Sequence, residues 1–101
     1  MANRVQLQTI LEDLMSSSNV YYQPPESVKL RYPCVIYSRS SIDTTFADDK
    51  PYVHRIRYKI TIIDKNPDSE LPGKVAALPM CVFDRHYVAD NLNHDVYNLY
   101  Y

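Results

Sequence analysis

Apolar and polar side chains alternate most regularly across residues 52–63, "YVHRIRYKITII". There Tyr52, His54, Ile56, Tyr58, Ile60 and Ile62 interleave with Val53, Arg55, Arg57, Lys59, Thr61 and Ile63. A period of two places the two sets on opposite faces of a β-strand. At about 3.3 Å per residue the run spans roughly 40 Å, twice an average strand, which predicts that it extends past the core. Near the N-terminus the period is different. Leu7, Ile10, Leu11, Leu14 and Met15 recur at three- and four-residue steps, predicting an amphipathic helix capped by Asn3 and stopped at "SSSN", residues 16–19.

Between these segments, Pro24, Pro25 and Pro33 predict an irregular, extended connection over residues 20–33. "CVIYSR", residues 34–39, is β-branched and aromatic and reads as a strand with Val35 and Tyr37 on one face and Cys34 and Ile36 on the other. The polar stretch 40–51 then reads as the outer end of a long hairpin. Residues 64–79 predict a turn into a short helix, with Asp68 or Ser69 as cap, Pro72 in its first turn, Pro79 closing it, and Val75, Ala76 and Leu78 toward the sheet. Residues 80–88 and 94–101 read as two strands joined by "ADNLN". The expected architecture is α+β in a single domain over residues 1–101. An N-terminal helix and one short helix pack on a mainly antiparallel sheet of about four strands with a long projecting β-hairpin.

Composition narrows the classes. A chain of 101 residues, 46% hydrophobic and 23% charged, is sized for one folded core with little material for a separate substrate pocket. A formal charge of −1 supplies no global field for nucleic acid or anionic membrane, so such contacts would be local. No apolar run approaches the roughly 18 residues of a membrane span, and the N-terminal stretch lacks a signal-peptide pattern, so a cytoplasmic protein is expected. Cys34 and Cys81 lack metal-type spacing and are expected as reduced core thiols, with a disulfide between them as the lesser alternative. Ten tyrosines with one glycine and no tryptophan suggest amphipathic surfaces that meet other protein.

Candidate chemistry is sparse. Asp64, Asn66 and Asp68 follow the start of a calcium-loop spacing, but Ser69 stands where the sharp turn needs glycine and Val75 where a bidentate Glu belongs, so a capped turn is the better reading. Cys81 and His86 are five apart in a strand and so are expected on opposite faces, unable to share a proton. Asp84 and His86 would share a face with His94 across the hairpin, the one conceivable metal set. Gly73 is the only glycine, which leaves no phosphate loop. Arg55, Arg57 and Lys59 form a basic stripe that reads first as a solvated strand face and second as a nucleic-acid contact. Asp48 and Asp49 have no pocket to orient them as catalysts and fit the charged tip of an arm. No catalytic, cofactor or metal site is expected.

Three segments, "YPCVIYSRS", "DDKPYVHRIRYKITIIDKNPDSELP" and "LPMCVFDRHYVADNLNHDVYNLYY", together resemble small neck proteins of tailed phages and prophages, the tail-terminator or tail-completion class. The likeness spans roughly residues 20–101 and rests on the whole pattern of segments. It implies an α+β protein that forms a ring, commonly a hexamer, at the head-proximal end of the tail tube, ends tube growth and helps join tail to head. The implied partners are further copies of the chain, the tail tube protein and head connector or adaptor proteins, with DNA only as passing cargo and no membrane. The implied location is the virion head-tail junction, with the host cytoplasm during assembly. A head-completion or connector-adaptor protein is the alternative. On this reading the interface residues are Thr44, Phe46, Asp48, Asp49, Lys50, Tyr52, Arg55 and Arg57 on the arm, with Tyr100 and Tyr101 at the C-terminus. Residues 40–51 are expected to be mobile in the free monomer and ordered on assembly.

Overall fold

The computed structural model describes residues 4–16, 18–25, 27, 29–47 and 50–101, with the backbone alone across 42–47 and 50–55. Helix α1 (Arg4–Met15) is followed by strands β1 (Val20–Tyr22), β2 (Cys34–Ala47) and β3 (Lys50–Asp64), helix α2 (Leu71–Ala76), and strands β4 (Cys81–Ala89) and β5 (Leu92–Tyr100). The fold is α+β, with two helices and a mixed sheet of five strands in the order β1-β2-β3-β5-β4. The fifth strand corrects the expected four. Val20–Tyr22, expected to be irregular, pairs parallel to β2, Val20 against Val35 and Tyr22 against Tyr37. Asn3, the expected helix cap, lies outside the described residues, as do Asp48 and Asp49.

Register sorts the sheet into two faces. On the helix side, Val35 meets Ile62, Tyr37 meets Ile60, and Tyr58, Ile60 and Ile62 face Leu99, Tyr97 and Asp95. These positions join Leu7 and Leu11 of α1 and Val75 of α2 in one buried core. Alternation over residues 56–62 therefore means what the pattern predicts: Ile60 and Ile62 are buried while Lys59 is exposed. Leu14 and Met15 pack on the rim of this core, whereas Ile10 stays exposed beside it.

Three tyrosines belong to the interior, so the Tyr-rich composition is only in part a surface property. Tyr37, Tyr58 and Tyr97 are buried. Ring centroids of Tyr22 and Tyr37 lie 4.9 Å apart and those of Tyr37 and Tyr58 6.0 Å, tilted and edge-on as the ring quadrupoles favour. Burying a phenol requires a partner for its hydroxyl. Tyr37 donates to Gln8 Oε1 and accepts from Arg4 Nη1, and Tyr97 donates to the Pro72 carbonyl at 3.0 Å.

Among the described residues no helix covers the second face, yet Cys34, Ile63 and Val96 on it are buried. Cys34 shares this face with Ile63, whereas Cys81 pairs with Leu99 on the helix side. The two thiols thus project from opposite faces of the sheet. Both are free, which removes the disulfide alternative.

The connections follow local chemistry. Asp64 Oδ1 accepts from the Asn66 N–H and Asn66 Oδ1 from the Asp68 N–H, each at 2.9 Å, so the calcium-like spacing is two successive side-chain turns. The backbone cap of α2 is Glu70, not Asp68 or Ser69, although Ser69 Oγ accepts from the Leu71 N–H at 3.2 Å. The β4–β5 connection is tighter than "ADNLN": Ala89 pairs with Leu92, leaving Asp90 and Asn91 at φ 53° and 62°. Two left-handed residues make the turn whose twist matches an antiparallel pair. Among the described residues no helix is long and apolar enough to cross a membrane.

Candidate functional site

An apolar groove of about 200 Å³ opens where α1, the segment after α2 and the end of β5 meet. Leu7 and Ile10 form one wall, Leu78, Pro79 and Met80 the second, and Leu99, Tyr100 and Tyr101 the floor and rim. The C-terminal residues are held there by backbone: the Tyr100 N–H donates to the Met80 carbonyl at 3.0 Å and the Tyr101 N–H to the Ile56 carbonyl at 3.1 Å. Met80 has φ 60° and is 53% exposed. A left-handed conformation is costly for a residue with a long side chain, so the fold holds an apolar side chain at the groove mouth against its local preference.

The groove ends where the β2–β3 pair leaves the sheet. β5 accompanies β3 only from Asp64 to Arg57, and β1 accompanies β2 only over Val35–Tyr37. Past Ser41 and Arg57 the two strands pair with each other, to Ala47 against Lys50, and among the described residues no further strand joins them, the Tyr101 N–H on the Ile56 carbonyl closing the base. β2 continues to Ala47, through the polar stretch that reads as the outer end of a hairpin. Thr44, Phe46, Lys50, Tyr52 and Arg55 lie along this two-stranded ribbon, Thr44 opposite His54 and Phe46 opposite Pro51. Arg57 sits at its base opposite Tyr100 and Ser41. Of the candidate interface residues, Arg57, Tyr100 and Tyr101 are thus gathered near the groove.

Ser40 is the extra residue of an irregularity between Arg39 and Ser41, and it ties down part of the basic stripe. Its Oγ donates to the Arg57 carbonyl at 3.0 Å and accepts from Arg57 Nε at 3.2 Å. Lys59 remains exposed on the same face.

The conceivable metal set is not brought together. A bulge between Phe83 and Arg85 makes Asp84 the extra residue, and its carboxylate lies 3.6 Å from Arg85 Nη2. His86 instead meets Asp95 across the hairpin, Nδ1 to Oδ1 at 2.8 Å. His94 is opposite Tyr87 on the other face, with the rings stacked at 4.6 Å. The same bulge corrects the reading of Cys81 and His86: adding a residue returns His86 to the face of Cys81. They remain about 13 Å apart along the strand with Phe83 between them. Burial raises the Cys81 thiol above its ordinary value, which opposes thiolate formation.

Two features escape sequence reasoning. Four groove residues, Leu7, Leu78, Pro79 and Leu99, read as generic core or helix-end positions, and nothing local announces their convergence. β4 was expected simply as a strand. It is an edge strand whose Val82, Phe83, Tyr87 and Val88 are all exposed. The signal for it is that apolar residues occupy both faces, which in an edge strand leaves neither fully covered.

Comparison of the chain with protein-family models, curated proteins and solved structures gave no match.

Proposed function

We propose that this protein is a structural component of a tailed-phage neck, a tail terminator or tail-completion protein. It forms a ring of sixfold order at the head-proximal end of the tail tube, stops tube growth and presents a joining surface to the head. The reading begins with the segment pattern of residues 20–101 and takes its physical support from one observation. The β2–β3 ribbon past Ser41 and Arg57 has no other strand beside it, while an apolar groove opens by Tyr100 and Tyr101. Two unlike surfaces on one chain are what a head-to-tail ring requires, since each copy offers one to its neighbour and accepts the other. The ribbon serves as the projecting arm that a neighbouring copy receives.

The test is localisation and assembly together. Immunogold labelling of particles should place the protein at the head-tail junction, and loss of the gene should give tails of irregular length that do not join heads. Label confined to the head connector with normal tails would instead support an adaptor. A protein absent from particles altogether would end the structural reading.

A further inference from the structure

β4 forms one margin of the sheet, and among the described residues no strand lies beyond it. Of the eight large apolar side chains exposed among the described residues, four are on this strand, which singles it out as the least satisfied element of the fold. It carries no proline, and its adjacent opposite charges, Asp84 and Arg85, lie at its midpoint.

We propose that β4 pairs antiparallel with β4 of a second copy, about a two-fold axis passing between Asp84 and Arg85, so that the two sheets become one. The register to β5 puts Cys81, Phe83, His86 and Val88 on the helix side and Val82, Arg85, Tyr87 and Ala89 on the other, with Asp84 inserted beside Arg85 opposite Val96. Directly opposed residues of an antiparallel pair must project to the same face. With the axis between Asp84 and Arg85, Cys81 opposes Val88 of the second copy, Val82 opposes Tyr87, Phe83 opposes His86, and Asp84 opposes Arg85. Every pair then matches in face, Val82 and Tyr87 cover each other while Phe83 lies over His86 and Val88 over Cys81, and two acid-base pairs flank the axis. Moving the axis onto Asp84 or Arg85 sets helix-side residues against far-side ones along the strand. Moving it between Arg85 and His86 opposes those two, which lie on different faces.

Bulges and charges commonly protect an edge from pairing. Here the bulge is what makes the two halves of β4 equivalent about the axis, and the charges are complementary to their own copy. The opposite margin of the sheet is β1, only three residues long, and beyond it β2 from Ser38 outward is mainly Ser, Thr, Arg and Asp in sequence. The pairing uses neither the ribbon nor the groove and stands with or without the ring.

Sedimentation velocity of the full chain from about 1 to about 100 μM, a range suited to a contact of modest area, tests it. A reversible dimer is expected. Arg85→Asp sets two acids against each other on each side of the axis and should weaken dimerisation at least about tenfold, the effect of roughly 1.4 kcal/mol. The exchange Asp84→Arg with Arg85→Asp should restore it. Far-UV circular dichroism establishes that each variant folds, and Asp84→Lys, which opposes two bases, serves if Arg85→Asp does not. A wild-type monomer throughout the range, a dimer indifferent to the single reversal, or a folded exchange variant that stays monomeric overturns the proposal.

Discussion

At the residue scale, two buried groups set measurable properties. The Cys34 thiol, fully buried, is pushed up from 9.0 to about 11, first by loss of solvation and then by the nearby Asp64 carboxylate. Between those values the unfolded chain has lost a proton that the native chain keeps. The stabilisation is therefore complete below about pH 9 and is lost as pH rises through about 11, by about 3 kcal/mol in all. Denaturant melts of wild type and Cys34→Ala across this window should show a steeper alkaline decline for wild type; parallel declines would contradict the assignment. Tyr37 makes the second case, because its hydroxyl joins Gln8 and Arg4 beneath α1. Tyr37→Phe should lower stability by about 1 kcal/mol, read as a urea midpoint shift with an unchanged slope.

At the scale of elements, legibility tracked how local the determinants are. The long strand β3 declares itself because one face is core over Tyr58, Ile60 and Ile62, and α1 because Leu7 and Leu11 recur one turn apart. β1 does not, since three residues carry no period and its pairing with β2 is non-local. The outer half of β2 reads only as the end of a hairpin, without strand bounds, because Ser and Thr replace the apolar alternation there. The bulge at Asp84 was also hidden, as was the groove, which only the tertiary fold assembles. The β4–β5 turn gives a test at this scale. With φ 62° at Asn91, Asn91→Gly should be neutral to slightly stabilising, whereas Asn91→Val should cost about 1 to 2 kcal/mol in the same melts.

For the whole molecule, the extents are 51 × 24 × 24 Å, and β2 and β3 stay paired past Ser41 and Arg57 to Ala47 against Lys50. Since an isolated two-stranded ribbon contributes little to stability, replacing residues 44–54 by a two-residue Asn-Gly turn between the paired Asp43 and Arg55 should change the unfolding free energy by less than about 1 kcal/mol. The same change should abolish ring formation. Its fold, checked by circular dichroism, and its assembly, checked by electron microscopy, are therefore expected to separate. Residues 40–51 should exchange amide hydrogens quickly in the free chain and slowly once assembled.

The most direct measurement is negative-stain electron microscopy of purified tail tubes incubated with the protein. A closed ring at one end of each tube, with tubes that no longer elongate, is the predicted result. Tubes bare at both ends and still growing in the presence of folded protein would contradict it.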